Sequence, residues 1–361
     1  MHVIEGFEHQ PTHHCVTGSM LDVYAFHGCA VSEDMLLGLG EGVGAGYFRF
    51  KGTAPFFGGR AEPEGGSVAL ASARTGVGVR VRKSGSDAAA EKALLASLAA
   101  GEPMMLQVDM GFLPYFDFGG EEYHFGGHAV VAAGFDEAAG TVTIADRDEE
   151  LHAVPLEALR QARSSTFRPF PPGRAYWQFD FTDCRPPTRD EVRAAIVNQA
   201  RAMLEPPIKN LGVAGIRKAA TEIPRWPALA EGWGLPEALF NLYVFESEVG
   251  GSGGGFFRFM CSRFLREAHG MGCGDALEQV AEAFHAVAED WDRIGTMCLT
   301  ASESSVPENA LNAVGAALAA VADREEAAWR AAMAAAGGGD ASGARGGVLG
   351  GASIGAAAGA I

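Results

Sequence analysis

The stretch HHCVTGSMLD at residues 13–22 places a thiol, that of Cys15, at the start of a predicted helix. Apolar residues recur at helical spacing as far as Tyr24, and His27-Gly28 marks the end of the helix. A cysteine in the first helical turn faces unpaired backbone N–H groups and the positive end of the helix dipole, which favour thiolate over thiol. Cys15 is therefore a candidate nucleophile that needs a base.

A base and its orienting partner are predicted at the ends of a β-hairpin. The apolar pattern predicts strands at 128–135 and 141–146, joined by a turn. His128 opens the first strand and Asp146 closes the second, and these two ends lie side by side in an antiparallel hairpin. A cysteine nucleophile needs a general base, and that base needs an orienting group. Cys15, His128 and Asp146 therefore form a candidate catalytic triad.

Each of these residues also has a structural interpretation. A cysteine at a helix start can be a small packing residue. His128 can be a loop histidine whose ring hydrogen bonds only to neighbouring protein groups, and Asp146 can cap the turn that follows it. The triad is the more specific interpretation, because all three residues fall where the mechanism requires them. A zinc site at His13, His14 and Cys15 fits poorly, since adjacent histidines rarely reach one tetrahedral ion and no CxxC pair is present. We expect no metal.

The composition narrows the possible classes of function. A chain of 361 residues is long enough for two domains, and its net charge of −17 argues against binding to nucleic acid or anionic lipid. The acidity suits a cationic substrate, although it also serves solubility alone. No signal peptide or membrane span is predicted, and six scattered cysteines predict reduced thiols in a cytoplasmic protein.

The predicted elements indicate an α+β domain at 1–183 followed by an all-helical domain at 184–336. Besides the first helix and the hairpin, the first domain is predicted to contain a helix started by Ser32, Glu33 and Asp34 and another at 87–98. Strands are predicted there at 47–50, 77–82, 104–108 and 176–181. A Thr188–Glu191 capping box opens the second domain. Its later helices are predicted at 212–223, 236–248, 256–269, 275–298 and 307–336. The tail at 337–361 is rich in Gly, Ala and Ser and is predicted to be disordered.

Three blocks of this sequence resemble one family. HHCVTGSMLDVYAFHGCAVSEDMLLGLGEGVGAGYF resembles the start of the butirosin biosynthesis protein H N-terminal family. GGHAVVAAGFDEAAGTVTIADRD resembles the second block of that family, and also the His-to-Asp block of papain-like peptidases that process bacteriocin leaders. FESEVGGSGGGFFRFMCSRFLREA resembles the helical domain of unknown function that often follows. The resemblance covers about residues 9–330.

The resemblance implies a papain-like fold and acyl transfer in the biosynthesis of natural products. The family's named member moves an acyl group from a carrier-protein thioester to an amine of an aminoglycoside, forming an amide. By matching position, Cys15 would take the acyl group, His128 would deprotonate the thiol and later the amine, and Asp146 would orient His128. The expected partners are an acyl or peptidyl carrier protein, which brings its own phosphopantetheine, and a small amine acceptor. No further cofactor is expected.

One position departs from the papain-like pattern. A glutamine about six residues before the cysteine usually binds the oxyanion, but His9 stands at that position and Gln10 follows it. Gln10 is a candidate oxyanion donor, beside the backbone N–H of Cys15 at the helix start.

Further candidate binding residues lie outside the triad. Glu246 and Glu248 precede a glycine run at 250–255 and Arg258, and two carboxylates there can hold an ammonium-bearing acceptor, with a solvated surface loop as the alternative. The other candidate substrate-binding residues are His14, Asp109, Tyr115 and His124. Docking of an acidic carrier protein predicts a basic patch formed by Arg147, Arg160, Arg163, Arg168 and Arg174.

Three functions remain open at this point. The first is the amide-forming acyltransferase, and the second is a hydrolase (thioesterase, amidase or peptidase) that uses the same triad. The third is a binding protein without catalysis, which predicts that Cys15, His128 and Asp146 lie too far apart for hydrogen bonds. The oligomeric state is left open.

Overall fold

The computed structural model describes residues 1–50, 52–120, 123–168, 170–230 and 232–337. The chain is α+β, as predicted, with antiparallel sheets and helices followed by a helical region. Of the tail predicted to be disordered, only Gly337 falls within the described residues, as the last residue of the last helix. Within the described ranges, no helix combines the length and the apolar character needed to cross a membrane.

The strands and helices follow the predicted order closely. The strands are β1 Val43–Phe48, β2 Phe56–Arg60, β3 Gly78–Lys83, β4 Met104–Val108, β5 His128–Asp136, β6 Thr141–Ala145, β7 Leu151–Pro155 and β8 Ala175–Asp180. The helices are α1 Cys15–Phe26, α2 Glu33–Leu39, α3 Ser67–Arg74, α4 Asp87–Ala99, α5 Leu156–Ser164, α6 Arg189–Leu204, α7 Gly212–Glu222, α8 Trp226–Leu229, α9 Leu235–Glu246, α10 Arg258–Gly270, α11 Leu277–Ser302 and α12 Leu311–Gly337. The sequence patterns did not predict β2, β7, α3, α5 or α8.

The first compact unit consists of Met1–Glu33 and Gly76–Pro186. Its sheet has six antiparallel strands in the order β3-β8-β4-β5-β6-β7. Helix α1 packs on the central strand β5 and buries Met20, Val23 and Tyr24. The predicted arrangement of an N-terminal helix on an antiparallel sheet is confirmed, and it brings the first residue of α1 to the end of β5 where His128 lies.

The second unit consists of Asp34–Thr75 and, among the described residues, the chain from Pro187 to Gly337. Residues 34–75 were expected in the first domain, but in the structure β1 and β2 form a sheet of their own that packs on helices of the second unit. The N–H of Tyr47 in β1, for example, donates to the carbonyl of Asn210 at 2.8 Å. The first unit ends at Pro186.

Two of the six cysteines are paired. Cys29 and Cys184 form a disulfide with their Cα atoms 6.4 Å apart, which is within the usual range for such bridges. The prediction that all cysteines are reduced is therefore wrong for this pair. The two residues are 155 positions apart in sequence, and only the fold brings them together. The cysteines with free thiols are Cys15, Cys261, Cys273 and Cys298.

Candidate active site

The nucleophile helix begins at Cys15 and is capped by the residue before it. His14 has extended backbone geometry, and its Nδ1 accepts a hydrogen bond from the N–H of Thr17 at 3.3 Å. The carbonyl of His14 accepts from the N–H of Gly18 at 2.7 Å. His14, a candidate substrate residue, therefore acts as the N-cap of α1 and fixes where the helix starts.

A buried carboxylate holds the backbone that leads into α1. Glu33 accepts hydrogen bonds from the N–H groups of His13 at 3.0 Å and His14 at 2.8 Å, and from the hydroxyl of Thr17 at 2.9 Å. Burial raises the pKa of Glu33 above its usual value in spite of these donors. The sequence pattern places Glu33 only in a helix start, and no spacing signal connects it to Cys15.

His128 and Asp146 are hydrogen bonded, and Cys15 lies near them at the start of α1. His128 Nε2 lies 2.7 Å from Asp146 Oδ2. The His128 ring and the backbone of Ala129 both act on the Cys15 thiol to lower its pKa. The third hypothesis predicted that all three side chains lie too far apart for hydrogen bonds, and the bond between His128 and Asp146 does not fit that prediction.

The electrostatics of these three residues favour an ion pair. Burial opposes the charged form of Cys15, but the hydrogen bond and charge of His128 leave its pKa below the usual value. Burial likewise opposes a charged His128, but Asp146 and the thiol raise the pKa of His128 to about 10. The pairing therefore favours a thiolate beside a protonated ring, which is the reactive state of a cysteine nucleophile.

Three donors orient Asp146. Besides His128, Oδ2 accepts from the hydroxyl of Tyr115 at 2.7 Å, and Oδ1 accepts from the backbone N–H of Arg147 at 2.8 Å. Burial and the neighbouring carboxylate raise the pKa of Tyr115, so its hydroxyl keeps its proton. Burial acts against a charged Asp146, but His128 holds its pKa below the usual range. Tyr115, a candidate substrate-binding residue, therefore holds the carboxylate of Asp146 in place.

The residue at the position of the usual oxyanion glutamine has a different role here. His9 Nδ1 lies 2.8 Å from Asp22 Oδ2 in α1, and its Nε2 lies 2.7 Å from the carbonyl oxygen of Asp148. Both ring nitrogens are used, so His9 ties the N-terminal segment to α1 and to the loop after Asp146. Gln10 is exposed, and its backbone hydrogen bonds to Asp22.

The aromatic loop before His128 is organised by Asp109. Its buried carboxylate accepts from the N–H groups of Gly111 and Phe125 and from the Ser165 hydroxyl, and it lies 3.0 Å from His124 Nδ1. The ring of His124 in turn stacks on Phe167. The structure therefore gives these two candidate pocket residues, Asp109 and His124, an internal anchoring role.

The candidates in the second unit differ in exposure. Arg258 is fully buried and forms a two-pronged ion pair with Glu325, through contacts of 2.6 and 3.1 Å. The prediction that Arg258 contacts substrate is therefore not supported, because its guanidinium is used inside the helical core. Glu248 is exposed, whereas Glu246 is fully buried.

The predicted arginine patch carries mixed charge. Arg160, Arg163 and Arg174 line one surface cleft, but the acidic residues Asp87 and Glu91 line it too. Arg174 pairs with Asp87, Arg160 pairs with Glu157, and Arg163 is buried with its guanidinium on the carbonyl of Ala90. Arg147 lies at the triad and Arg168 is exposed elsewhere on the loop. The five arginines do not form one uncompensated basic surface.

Two family models match this chain, each over a different part of it. The model of the family described as butirosin biosynthesis protein H, N-terminal, matches residues 14–147, which include Cys15, His128 and Asp146. A domain of unknown function, DUF4872, matches residues 157–332. The chain matches none of the curated proteins with which it was compared. The resemblance noted from the sequence is confirmed, and it supports an enzyme of biosynthesis.

Proposed function

The chain joins a butirosin biosynthesis protein H N-terminal domain to a domain of unknown function, and on this basis we propose that it is a cysteine-dependent acyltransferase. It would move an acyl group from the thioester of a carrier protein to an amine and form an amide. The observation that carries this proposal is the position of Cys15, the first residue of α1, beside the hydrogen-bonded pair of His128 and Asp146.

The first half of the proposed reaction loads the enzyme. The Cys15 thiolate attacks the carbonyl carbon of the donor thioester, and the bond from that carbon to the pantetheine sulfur breaks. The departing sulfur takes the proton from His128, so a free pantetheine thiol leaves and His128 becomes neutral. The developing oxyanion lies at the N-terminus of α1, where the Cys15 N–H is the expected donor.

The second half releases the amide. The nitrogen of a neutral amine attacks the Cys15 thioester and gives its proton to His128, and the carbon–sulfur bond of the acyl-enzyme breaks. The thiolate and the protonated ring are thereby restored. Asp146 stabilises the ring in both halves, because its carboxylate favours the protonated form that each half uses.

Hydrolysis is the competing outcome, because water can take the place of the amine with the same triad. Amide formation and hydrolysis can be separated by incubating the enzyme with acyl N-acetylcysteamine or acyl-pantetheine, with and without candidate primary amines. The products are then identified by mass spectrometry. We expect an amide that forms only with the amine and only with intact Cys15. Free acid at an unchanged rate, whether or not amine is present, would establish a hydrolase instead.

Variants keep this test specific. Cys15→Ser and His128→Gln should each abolish turnover, whereas Cys273→Ser, which changes another free thiol, should leave it unchanged. Turnover that survives in Cys15→Ser would remove the thiol from the mechanism.

A further inference from the structure

Three aromatic side chains of the loop before β5 form a row that begins at His128. The ring of Phe116 meets the ring of His128 edge to face, with the ring centroids 5.6 Å apart. The ring of Phe118 lies nearly parallel to that of Phe116 at 5.8 Å, and the ring of Tyr123 lies 4.7 Å from that of Phe118. This aromatic row therefore leads from the candidate active site along the loop, with each ring close to the next.

The aromatic row is partly open to solvent. Phe116 and Phe118 are half-buried, and Tyr123 at the far end is 43% exposed. Cys15, which lies near the other end, is half-buried as well. Within the part of the chain that the structure describes, the ring contacts of Phe118 are those with Phe116 and Tyr123. Exposed rings side by side form an apolar surface, and such a surface next to a reactive group marks a place where a ligand binds.

Other aromatic side chains of the same loop are held by contacts within the protein. Tyr115 donates its hydroxyl to Asp146 and stacks on His152, with the ring centroids 3.9 Å apart. The ring of His124 stacks on Phe167 at 3.4 Å. These rings position the loop and the triad, whereas the aromatic row ends at an exposed side chain.

The position of the aromatic row determines which part of a substrate reaches it. In the proposed reaction the acyl carbonyl carbon is bonded to the sulfur of Cys15, on which His128 acts. The chain attached to that carbon therefore starts close to His128, where Phe116 presents an apolar ring. The phosphopantetheine arm carries amide groups that need hydrogen-bond partners, and the rings of Phe116 and Phe118 supply none. A hydrocarbon chain has no such need.

We propose that the aromatic row of Phe116, Phe118 and Tyr123 receives the hydrocarbon chain of the acyl donor and selects donors with longer apolar chains. The assignment rests on the proposed acyl transfer and adds the class of donor to it. A chain that lies along the row removes its own surface and that of the rings from water. Each buried methylene corresponds to roughly a fourfold change in the rate constant for acylation, and an acetyl group gains little of this.

Acylation by acetyl-pantetheine and by hexanoyl-pantetheine, followed by intact-mass spectrometry without amine, tests the aromatic row. We compare the second-order rate constants with which the two acyl adducts form on Cys15. The wild type should react at least about tenfold faster with the hexanoyl donor. Equal rate constants would overturn the role of the row and leave the proposed acyl transfer standing. No adduct with either donor, in a protein whose Cys15 reacts with iodoacetamide, would overturn the proposed function and the role of the row together.

Variants locate the preference on the aromatic row. Phe118→Ala and Tyr123→Ala should each lower the hexanoyl-to-acetyl ratio at least about threefold, while Phe118→Leu, which keeps an apolar side chain, should retain most of it. Loss of folded protein cancels from a ratio measured on one sample. Phe167→Ala is the matched control and should keep the ratio, because Phe167 is also 43% exposed but stacks on His124 outside the row. A wild-type ratio in both row alanine variants, or a change only in the discharge of the adduct by a primary amine, would overturn the proposal.

Discussion

Replacing Asp146 with asparagine should make the Cys15 thiol much less reactive at neutral pH. The carboxylate accepts three hydrogen bonds, from His128 and Tyr115 at Oδ2 and from the backbone N–H of Arg147 at Oδ1. An asparagine amide offers one acceptor oxygen and one NH2 group. Its NH2 must therefore face either the Arg147 N–H or the protonated ring of His128. In either placement two hydrogen-bond donors face each other, and one hydrogen bond is lost.

The size of the effect follows from the bond that is lost. A hydrogen bond to a charged group is worth about 1.5–3 kcal/mol, which corresponds to roughly a 10- to 150-fold change in an equilibrium. The asparagine also removes the charge that raises the pKa of His128 to about 10. The protonated ring then loses stability, and the pKa of Cys15 rises towards its ordinary value of 9.0. The thiolate fraction at pH 7 should fall by roughly tenfold or more, up to a limit of about 100-fold, because a thiol with a pKa of 9.0 is still about 1% ionised at that pH.

The assay is the rate of iodoacetamide alkylation at Cys15 as a function of pH, measured by peptide mass spectrometry. Wild type should already react at neutral pH, and Asp146→Asn should need a higher pH for the same rate. Asp148→Asn is the matched control, because its carboxylate bonds to His152 and to the N–H of Glu150 and not to the triad. An Asp146→Asn profile that overlays the wild-type profile would refute the ion-pair assignment.

Three further predictions concern single features of the fold. Glu33→Gln removes a carboxylate that accepts three hydrogen bonds at the start of α1. The free energy of unfolding should therefore fall by about 1–3 kcal/mol, and alkylation of Cys15 should slow. A variant as stable as the wild type would contradict this prediction. Thiol titration of the denatured, unreduced protein should count four thiols, and reduction of Cys29–Cys184 should lower the melting temperature; six thiols without reductant would contradict the disulfide. Native Glu246 keeps its proton above pH 4.5 while the unfolded chain releases it, so stability should fall as pH rises, by at most about 1.4 kcal/mol per pH unit. Urea unfolding followed by tryptophan fluorescence should show this slope flattened in Glu246→Gln, and identical slopes would contradict it.

The parts of the site that could be predicted are those set by local pattern. Apolar spacing predicts the helix that begins at Cys15, and apolar spacing with turn residues predicts the hairpin that has His128 and Asp146 at its ends. Both signals act over a few positions. An antiparallel hairpin brings its two ends together whatever the rest of the chain does. Placing α1 against that end required the resemblance as well, because packing between distant segments leaves no periodic signal.

The parts that could not be predicted depend on contacts distant in sequence. Tyr115 reaches Asp146 from a loop 31 positions away, and Glu33 reaches back 19 positions to His14. The Cys29–Cys184 bridge is of the same kind. Arg258 was misassigned because an arginine after a glycine run looks available for a ligand, while its buried partner lies 67 positions further along the chain. Rules based on residue spacing detect only pairs that are close in sequence, whereas each of these pairs is brought together by the tertiary fold.

The central claim is that the sulfur of Cys15 takes an acyl group from a thioester. Incubation with acyl-pantetheine in the absence of amine, followed by intact-mass measurement and peptide mapping, tests it directly. The account predicts one acyl adduct, located on the peptide that contains Cys15, absent from Cys15→Ala and discharged when a primary amine is added. An adduct of the same mass that persists in Cys15→Ala would contradict the account.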